Sequence, residues 1–323
     1  MGAGSATDPT LPCRDRWQRG VIALLRVALL VLLVIPAGCN RLSPSQEQPA
    51  TPALLRAEGP SGRLQEVAPP AAVQQLQAAL AERNPQVNIL APRDGAALPS
   101  GATRLQIQWR DWPLVDAGPL GLGAHLVVQV DDQPPLRLTS PKAASSQAAP
   151  SSEGRLDVDL PALSPGSHRI TAYAARPWGE AVKSPGAWHQ VQVNRVAANP
   201  LAIPQPGTPQ LIAVSPSDLT NRQPVLVDWL LLDAPLQGLR DNDGSWRLRV
   251  TGNGDSFLVD QNAPLWLKGW QSGSNSLQLE LVDGRGAPLN PPFNSLVIEL
   301  VIDSAATSPI WQGGRLNPDD LAR

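Results

Sequence analysis

Three histidines, His125, His168 and His189, are the side chains of this chain best suited to bind a transition metal or move a proton near neutral pH. Imidazole suits copper or zinc. No two of the three lie at a short ligand spacing, Met1 is the only methionine, and neither cysteine, Cys13 or Cys39, falls in the part of the chain patterned to fold. A Cu(I) site with thioether or thiolate ligands is therefore excluded there. The expectation is three separate surface or strand-edge histidines, with no metal site and no cofactor.

Carboxylate pairs are the next candidates for chemistry: Asp131-Asp132, Asp157 with Asp159, Asp241 with Asp243, and Asp319-Asp320. Asp157 and Asp159 share one face of a strand. Their neighbours Leu156, Val158 and Leu160 claim the core, so the two acids should face water. Asp131-Asp132 and Asp241-Asn242-Asp243-Gly244 read as turns, and the latter lacks the later carboxylate spacing of a calcium loop. No Gly-x-Ser-x-Gly elbow and no glycine-rich phosphate loop is present. No residue is assigned a catalytic role, and the chain reads as a protein that is not an enzyme.

The tryptophans are better suspects, at 10 against one Tyr and two Phe. Trp109 and Trp229 lie on alternating strands at matching places in a repeat, so they should pack in cores. Trp112, Trp178 and Trp270 stand beside Pro or Gly at strand ends, in RDWP, RPWGE and KGWQSG. An exposed rim of indoles would hold a glycan or a protein; the alternative is that the indoles plug the ends of the sandwiches. The segment ARPWGEAVKSPGAW puts an indole, a guanidinium, a carboxylate and an ammonium on one inter-strand loop. The expected contact surface is therefore Trp112, Arg176, Trp178, Glu180 and Lys183. The competing account is structural, with Arg176 paired to Glu180 and Trp178 capping the core.

The elements that position these residues follow from an N-terminal stretch, VIALLRVALLVLLVIPAGC, at Val21–Cys39. Arg14, Arg16 and Arg19 precede it, an apolar run from Val27 to Ile35 follows Arg26, and Ala37-Gly38 stand before the cysteine. That is the charged, apolar, small-residue order of a secretory signal. The ending resembles the lipobox of bacterial lipoproteins, with Pro36 where that motif usually has Leu. The resemblance implies cleavage and acylation at Cys39. A transmembrane helix is the alternative, but the uninterrupted run is about half the ~20 apolar residues a span needs.

Residues 1–39 are thus expected as a lipoprotein-type signal peptide. The Ser-, Pro-, Gln- and Ala-rich stretch 40–70 has few aliphatics and reads as a flexible tether. Val73, Leu76, Ala79, Leu80 and Arg83 recur at steps of three and four, so a short helix is expected within 71–85, stopped by Asn84-Pro85. From Gln86 the period becomes two. Leu105, Ile107 and Trp109, and later Leu126, Val128 and Val130, alternate with residues of the other face. Six or seven such strands over 86–195 make one antiparallel sandwich, and 140–153 reads as a low-complexity loop. A proline-rich linker follows at 196–209. The pattern restarts over 210–303 with Val225, Val227 and Trp229 and with Leu277, Leu279 and Leu281. The tail 304–323 reads as a loose end.

The halves repeat in order. VNILAPRDG at 87–95 matches LIAVSPSDL at 211–219, and QIQWRDWPL at 106–114 matches VDWLLLDAPL at 227–236. The fold class is all-β: two tandem immunoglobulin- or fibronectin-like β-sandwiches after a signal peptide, a tether and a short helix. PLGLGAHLVVQVDDQP, LSPGSHRITAYAARPWGEAVKSPGAW and WLKGWQSGSNSLQLELVDGRGAPLNPPFNS together resemble an uncharacterised cyanobacterial family of secreted or lipid-anchored proteins. The resemblance covers most of 86–303 and implies source and architecture but no mechanism.

Composition narrows the partners. The formal net charge is −2, with 26 basic and 28 acidic residues, which argues against nucleic acid. With no cysteine in the sandwiches, no disulfide can staple them. The reading is an exported, membrane-anchored lipoprotein facing the periplasm or cell surface that binds a protein partner. A cell-wall glycan ligand is the alternative, and a periplasmic metal-binding role the third.

Overall fold

The computed structural model describes residues 62–139, 152–205, 207–217, 219, 222–234, 246–289 and 291–321. The expected signal with Cys39, the tether as far as 61, the loop at 140–151 and the Asp241–Gly244 turn lie outside the described residues. The chain enters through β1 (Gln65–Glu66) and α1 (Ala71–Ala79). The first sandwich follows: β2 (Gln86–Ala91), β3 (Ala96–Leu98), β4 (Thr103–Arg110), β5 (His125–Val130), β6 (Leu136–Leu138), β7 (Gly154–Leu160), β8 (Gly166–Ala175) and β9 (Trp188–Arg195). The second comprises β10 (Gln210–Ser215), β11 (Val225–Leu232), β12 (Arg247–Gly252), β13 (Asp255–Val259), β14 (Leu265–Lys268), β15 (Gly273–Val282), a single turn α2 (Pro291–Asn294) and β16 (Ser295–Ile302). The last turn is α3 (Pro318–Leu321).

Two-residue periodicity becomes two-layer packing. Along β4, Thr103, Leu105, Ile107 and Trp109 are buried and alternate with more exposed neighbours. They face Leu126, Val128, Ile170 and Val191 of the opposite sheet. The first sandwich sets the sheet β2-β4-β7 against β3-β9-β8-β5-β6. All its pairings are antiparallel except β3 with β9. The second sets β1-β14-β11-β10 against β13-β12-β15-β16, over a core that includes Val227, Trp229, Leu248, Val250, Leu277 and Leu279. Matching the sheets strand for strand gives one arrangement twice, that of immunoglobulin and fibronectin type III sandwiches.

The repeat extends to backbone detail. Each sandwich opens on a hairpin whose first strand ends at a bulge before a cis proline, Ala91-Pro92 and Ser215-Pro216. Each second strand leaves through an aspartate at positive φ, Asp111 at 54° and Asp233 at 52°. Counting from the bulge corrects the tryptophan equivalence. Ile89 pairs with Ile107 and Val87 with Trp109, whereas Ala213 pairs with Trp229 and Leu211 with Leu231. Trp229 therefore occupies the place of Ile107, and Trp109 that of Leu231. Both indoles point inward, one cross-strand pair apart. In the second hairpin, small Ala213 opposite Trp229 leaves room for the indole at that level.

Three expected boundaries change. The tether does not extend to 70: Leu64 is buried in the second core, Gln65 and Glu66 pair with Lys268 and Leu267, and the Val67 amide donates to Trp266 O. One aliphatic among polar residues suffices here, because it enters a preformed pocket and the strand edge of β14 supplies hydrogen bonds. The helix ends at Ala79, well before Asn84-Pro85. Asp111 takes the Arg83 guanidinium at 3.1 Å and the Asn84 amide at 2.7 Å, drawing the chain from the helix axis into β2. The tail is not a loose end either. Trp311 is buried with Val73, Trp178, Leu226 and Trp266, its ring 5.9 Å from that of Trp266 in an edge-on contact. Gln75 and Leu316 exchange two hydrogen bonds that tie α1 to the tail.

Replacing Trp311 by Ala should therefore destabilise the protein by about 2–4 kcal/mol, near the range for truncating a buried aromatic. Urea denaturation checks it. A loss below about 1 kcal/mol would mean that the tail adds little to the fold.

Candidate functional site

The residues singled out as a contact loop meet the second sandwich instead of solvent. The cause is visible in β11. Its sequence, VLVDWLLL, is buried at all eight positions, where a sheet with one wet face would alternate. Val225, Val227, Trp229 and Leu231 fill the second core. On the opposite face Leu230 and Leu232, with Ile212 and Val214 of β10, pack on Val127 of β5, Tyr173 and Ala175 of β8, and Ala181. Both sandwiches lie within one compact unit. Their junction is a sheet-on-sheet contact between outer faces.

One charge interrupts the apolar run of β11. Asp228 is fully buried, and a buried carboxylate is tolerated only when paired and hydrogen-bonded. Both conditions are met from the first sandwich. Lys183 Nζ donates to Asp228 Oδ1 at 2.5 Å, and the Ala181 amide donates to Oδ2 at 2.8 Å. The same ammonium stands 4.9 Å from the centre of the Trp229 ring, a cation–π contact.

The turn that presents Lys183 is built by its own sequence. Arg176 and Glu180 close it through the Arg176 amide and the Glu180 carbonyl at 2.8 Å, and Gly179 takes φ +89° at its tip. A side chain at Gly179 would also meet Leu219 of the second sandwich at 3.4 Å. Inside the turn, Trp178 Nε1 donates to Glu180 Oε2 at 2.7 Å. The Arg176 guanidinium lies 3.5 Å from Glu180 Oε1, an ion-pair contact without hydrogen-bond geometry, and 5.8 Å from the Trp178 ring. Burial and then the Asp228 charge push the Glu180 carboxyl above its ordinary range, against the pull of Arg176, the indole and Lys183. Burial, followed by Asp228, likewise raises the Tyr173 phenol.

Arg176, Trp178, Glu180 and Lys183 are thus brought together, and Trp112 is not among them. Trp112 lies in the first core at 1 % exposure and donates its indole N–H to His125 O at 3.1 Å. Trp178 is 0 % and Trp270 4 % exposed. Of the two readings of these indoles, an exposed rim or buried plugs, their burial fits the plugs. Sequence reasoning missed Asp228 and Tyr173. The signal for Asp228 was present as one carboxylate inside a strand apolar on both faces.

The histidines stay apart, each with its own partners. His168 Nδ1 meets Asp131 Oδ2 at 2.7 Å and its Nε2 meets Ser164 O at 2.8 Å. Burial alone would lower its pKa, but these two acceptors more than offset that and raise it. His189 Nδ1 accepts the Ile89 amide at 3.2 Å. His125 is wholly buried, with Nδ1 2.8 Å from Gly123 O. A carbonyl only accepts, so Nδ1 carries the proton and Nε2 is a bare lone pair without a partner. Protonating Nε2 would bury an N–H and a charge with nothing to receive them. Burial accordingly lowers this pKa to about 4. Among the described residues no group of three or more His, Cys, Asp or Glu side chains could hold a metal. Asp157 and Asp159 are exposed, as their alternation requires.

No protein-family model and no curated protein matches the chain. Among solved structures it is similar to the fibronectin(III)-like modules of Clostridium thermocellum CbhA, at 12 % identity over 68 % of this chain and 94 % of that one, with a TM-score of 0.22. It is similar to domains 4–9 of the surface layer protein SbsC at 11 % identity, over 68 % of this chain and 32 % of that one, with a TM-score of 0.18. An engineered protein matches at 18 % identity over 35 % of this chain and 20 % of its own, with a TM-score of 0.22.

Two outcomes follow for the junction. Lys183→Met leaves Asp228 charged and unpaired, and should cost about 3–5 kcal/mol. Adding Asp228→Asn keeps an acceptor for the Ala181 amide and should recover most of that loss. Equilibrium unfolding of both variants checks it, and equal losses would show that the pair does not couple the sandwiches.

The His125 site has a signed pH dependence. Its pKa is lowered in the fold, so its contribution is complete above the unfolded value of about 6.5. As pH falls to 4 the unfolded chain takes up a proton that the fold refuses, and stability drops by up to about 3 kcal/mol. His168, with its raised pKa, acts in the opposite sense, losing stability as pH rises through the folded value. The His125 share is the difference in slope between wild type and His125→Phe from pH 6.5 to 4.5. Identical slopes would sink this assignment.

Proposed function

We propose that the chain is a lipid-anchored, non-catalytic extracytoplasmic protein that acts by binding or scaffolding, with its two sandwiches working as one arm toward a protein partner. The observation that carries this is the buried Lys183–Asp228 pair within a two-sided apolar contact. Such a contact holds the sandwiches in one arrangement, because hinging would strip both charges of their partners. Arg176 and Glu180 of the expected contact loop are engaged with each other and Lys183 with Asp228 across the junction, which supports positioning over catalysis. A protein partner is favoured over glycan because Trp112, Trp178 and Trp270, the indoles expected at strand ends, are buried and offer no face for sugar stacking. The metal-binding reading has no support from the separated histidines.

The anchor rests on the apolar run that ends in Ala-Gly-Cys39. No helix among the described residues is long and apolar enough to cross a membrane. Acylation of Cys39 would leave the arm facing the periplasm or the cell surface.

The test has two arms. Cys39→Ser should move the protein from the membrane to the soluble fraction with an unchanged melting temperature; retention at the unprocessed mass would make the stretch a transmembrane anchor. Spin labels at exposed positions 157 and 256 should give a single narrow distance. A broad distribution would remove the one-arm reading.

A further inference from the structure

The repeat exposes a difference between the last strands of the two sandwiches. By sheet order β9 and β16 are equivalent, each bordering the long strand β8 or β15. In the first sandwich the outer edge of β9 is closed from Gln192 to Arg195 by the same chain. The Ile89 amide donates to His189, the Gly95 amide to Gln192 O, and the Gln192 amide to Asp94. β3 then pairs in parallel with Val193–Arg195. The closing segment is the stretch just after the cis proline at 92.

In the second sandwich the residue that matches Gly95 lies elsewhere. Three residues past cis Pro216, Leu219 lies against Gly179 at the junction. Among the described residues nothing pairs with the outer edge of β16, which bonds only to β15, from Ser295 opposite Glu280 to Ile302 opposite Gly273. This edge is eight residues long and holds no lysine, proline or bulge, the usual devices that blunt an edge. Its outer face carries Val297 at 72 % and Val301 at 54 % exposure, with Glu299 between them. Glu299 accepts the Ser274 hydroxyl at 2.7 Å and meets no cation among the described residues.

We infer that β16 is a docking edge for an extended strand of another polypeptide, with apolar side chains opposite Val297 and Val301 and a Lys or Arg opposite Glu299. Charge decides between this partner and a second copy. Antiparallel self-pairing that sets Val297 against Val301 places Glu299 directly against its own copy, and opposed like charges are unfavourable. A strand with a basic residue at that place gains the same main-chain bonds and a cross-strand ion pair. The inference goes beyond the arm reading and does not depend on the anchor.

The probe is the peptide acetyl-Thr-Val-Thr-Lys-Thr-Val-Thr-amide, with a counterpart bearing Glu in place of Lys. Hydrogen exchange of the full-length protein is followed over 295–302. At saturating Lys peptide the unpaired edge amides should slow at least roughly tenfold, as they enter a ladder. The Glu peptide should bind roughly threefold to fivefold more weakly, the range of cross-strand charge pairs. Glu299→Lys, at an exposed position, should keep the melting temperature and reverse the preference. No slowing with the Lys peptide would overturn the proposal, as would an unreversed preference. Edge amides already slow in free protein, and slower with protein concentration, would make the partner a second copy and overturn it as well.

Discussion

A carboxylate with no access to water organises the middle of this protein. Asp228 stands in a strand buried on both faces, and an isolated charge there would carry a penalty of several kcal/mol. Everything that satisfies it comes from the other sandwich: the Lys183 ammonium, the Ala181 amide, and the turn that Arg176, Trp178 and Glu180 hold in shape. Apolar contact alone would let two sheets slide in register. The carboxylate has one place where both oxygens find donors, so it specifies which arrangement the apolar surfaces adopt. The cluster of Val73, Leu226, Trp266 and Trp311 then fastens both ends of the folded chain beside that junction.

Much of the fold was legible because its cause is local. Alternation in TRLQIQWR and NSLQLELV marks strands with one buried face, and the matched Pro, Asp and Pro-Leu positions announce the repeat. Aligning the halves on tryptophan displaces the register by two residues. The invariant feature is the bulge before cis proline, a backbone property that no single side chain reports. The candidate site was legible in its residues and not in its exposure. Arg176, Trp178, Glu180 and Lys183 do act together, on a partner within the same chain. Sequence period shows which face of a strand is apolar. It does not show whether the other face meets water or a second domain, unless the run is apolar throughout, as VLVDWLLL is. Trp311 and Leu64 were missed for a related reason. Each is a single large side chain in a polar context, and its burial depends on a pocket assembled by distant strands.

Among the described residues the two sandwiches treat the outer edge of their last strand differently. A duplicated sandwich inherits two copies of the segment after the cis proline, and each copy can either close its own last strand or do something else. In the first sandwich it closes β9 through Asp94, Gly95 and β3. In the second it reaches Gly179, where a glycine at φ +89° leaves room for the Leu219 side chain. Leu219 lies at the junction and is not among the pairing partners of β16. Among the described residues the outer edge of β16 is left open where that of β9 is closed. That edge carries two exposed valines around a carboxylate that meets no cation among the described residues, a pattern that suits a foreign strand better than its own copy.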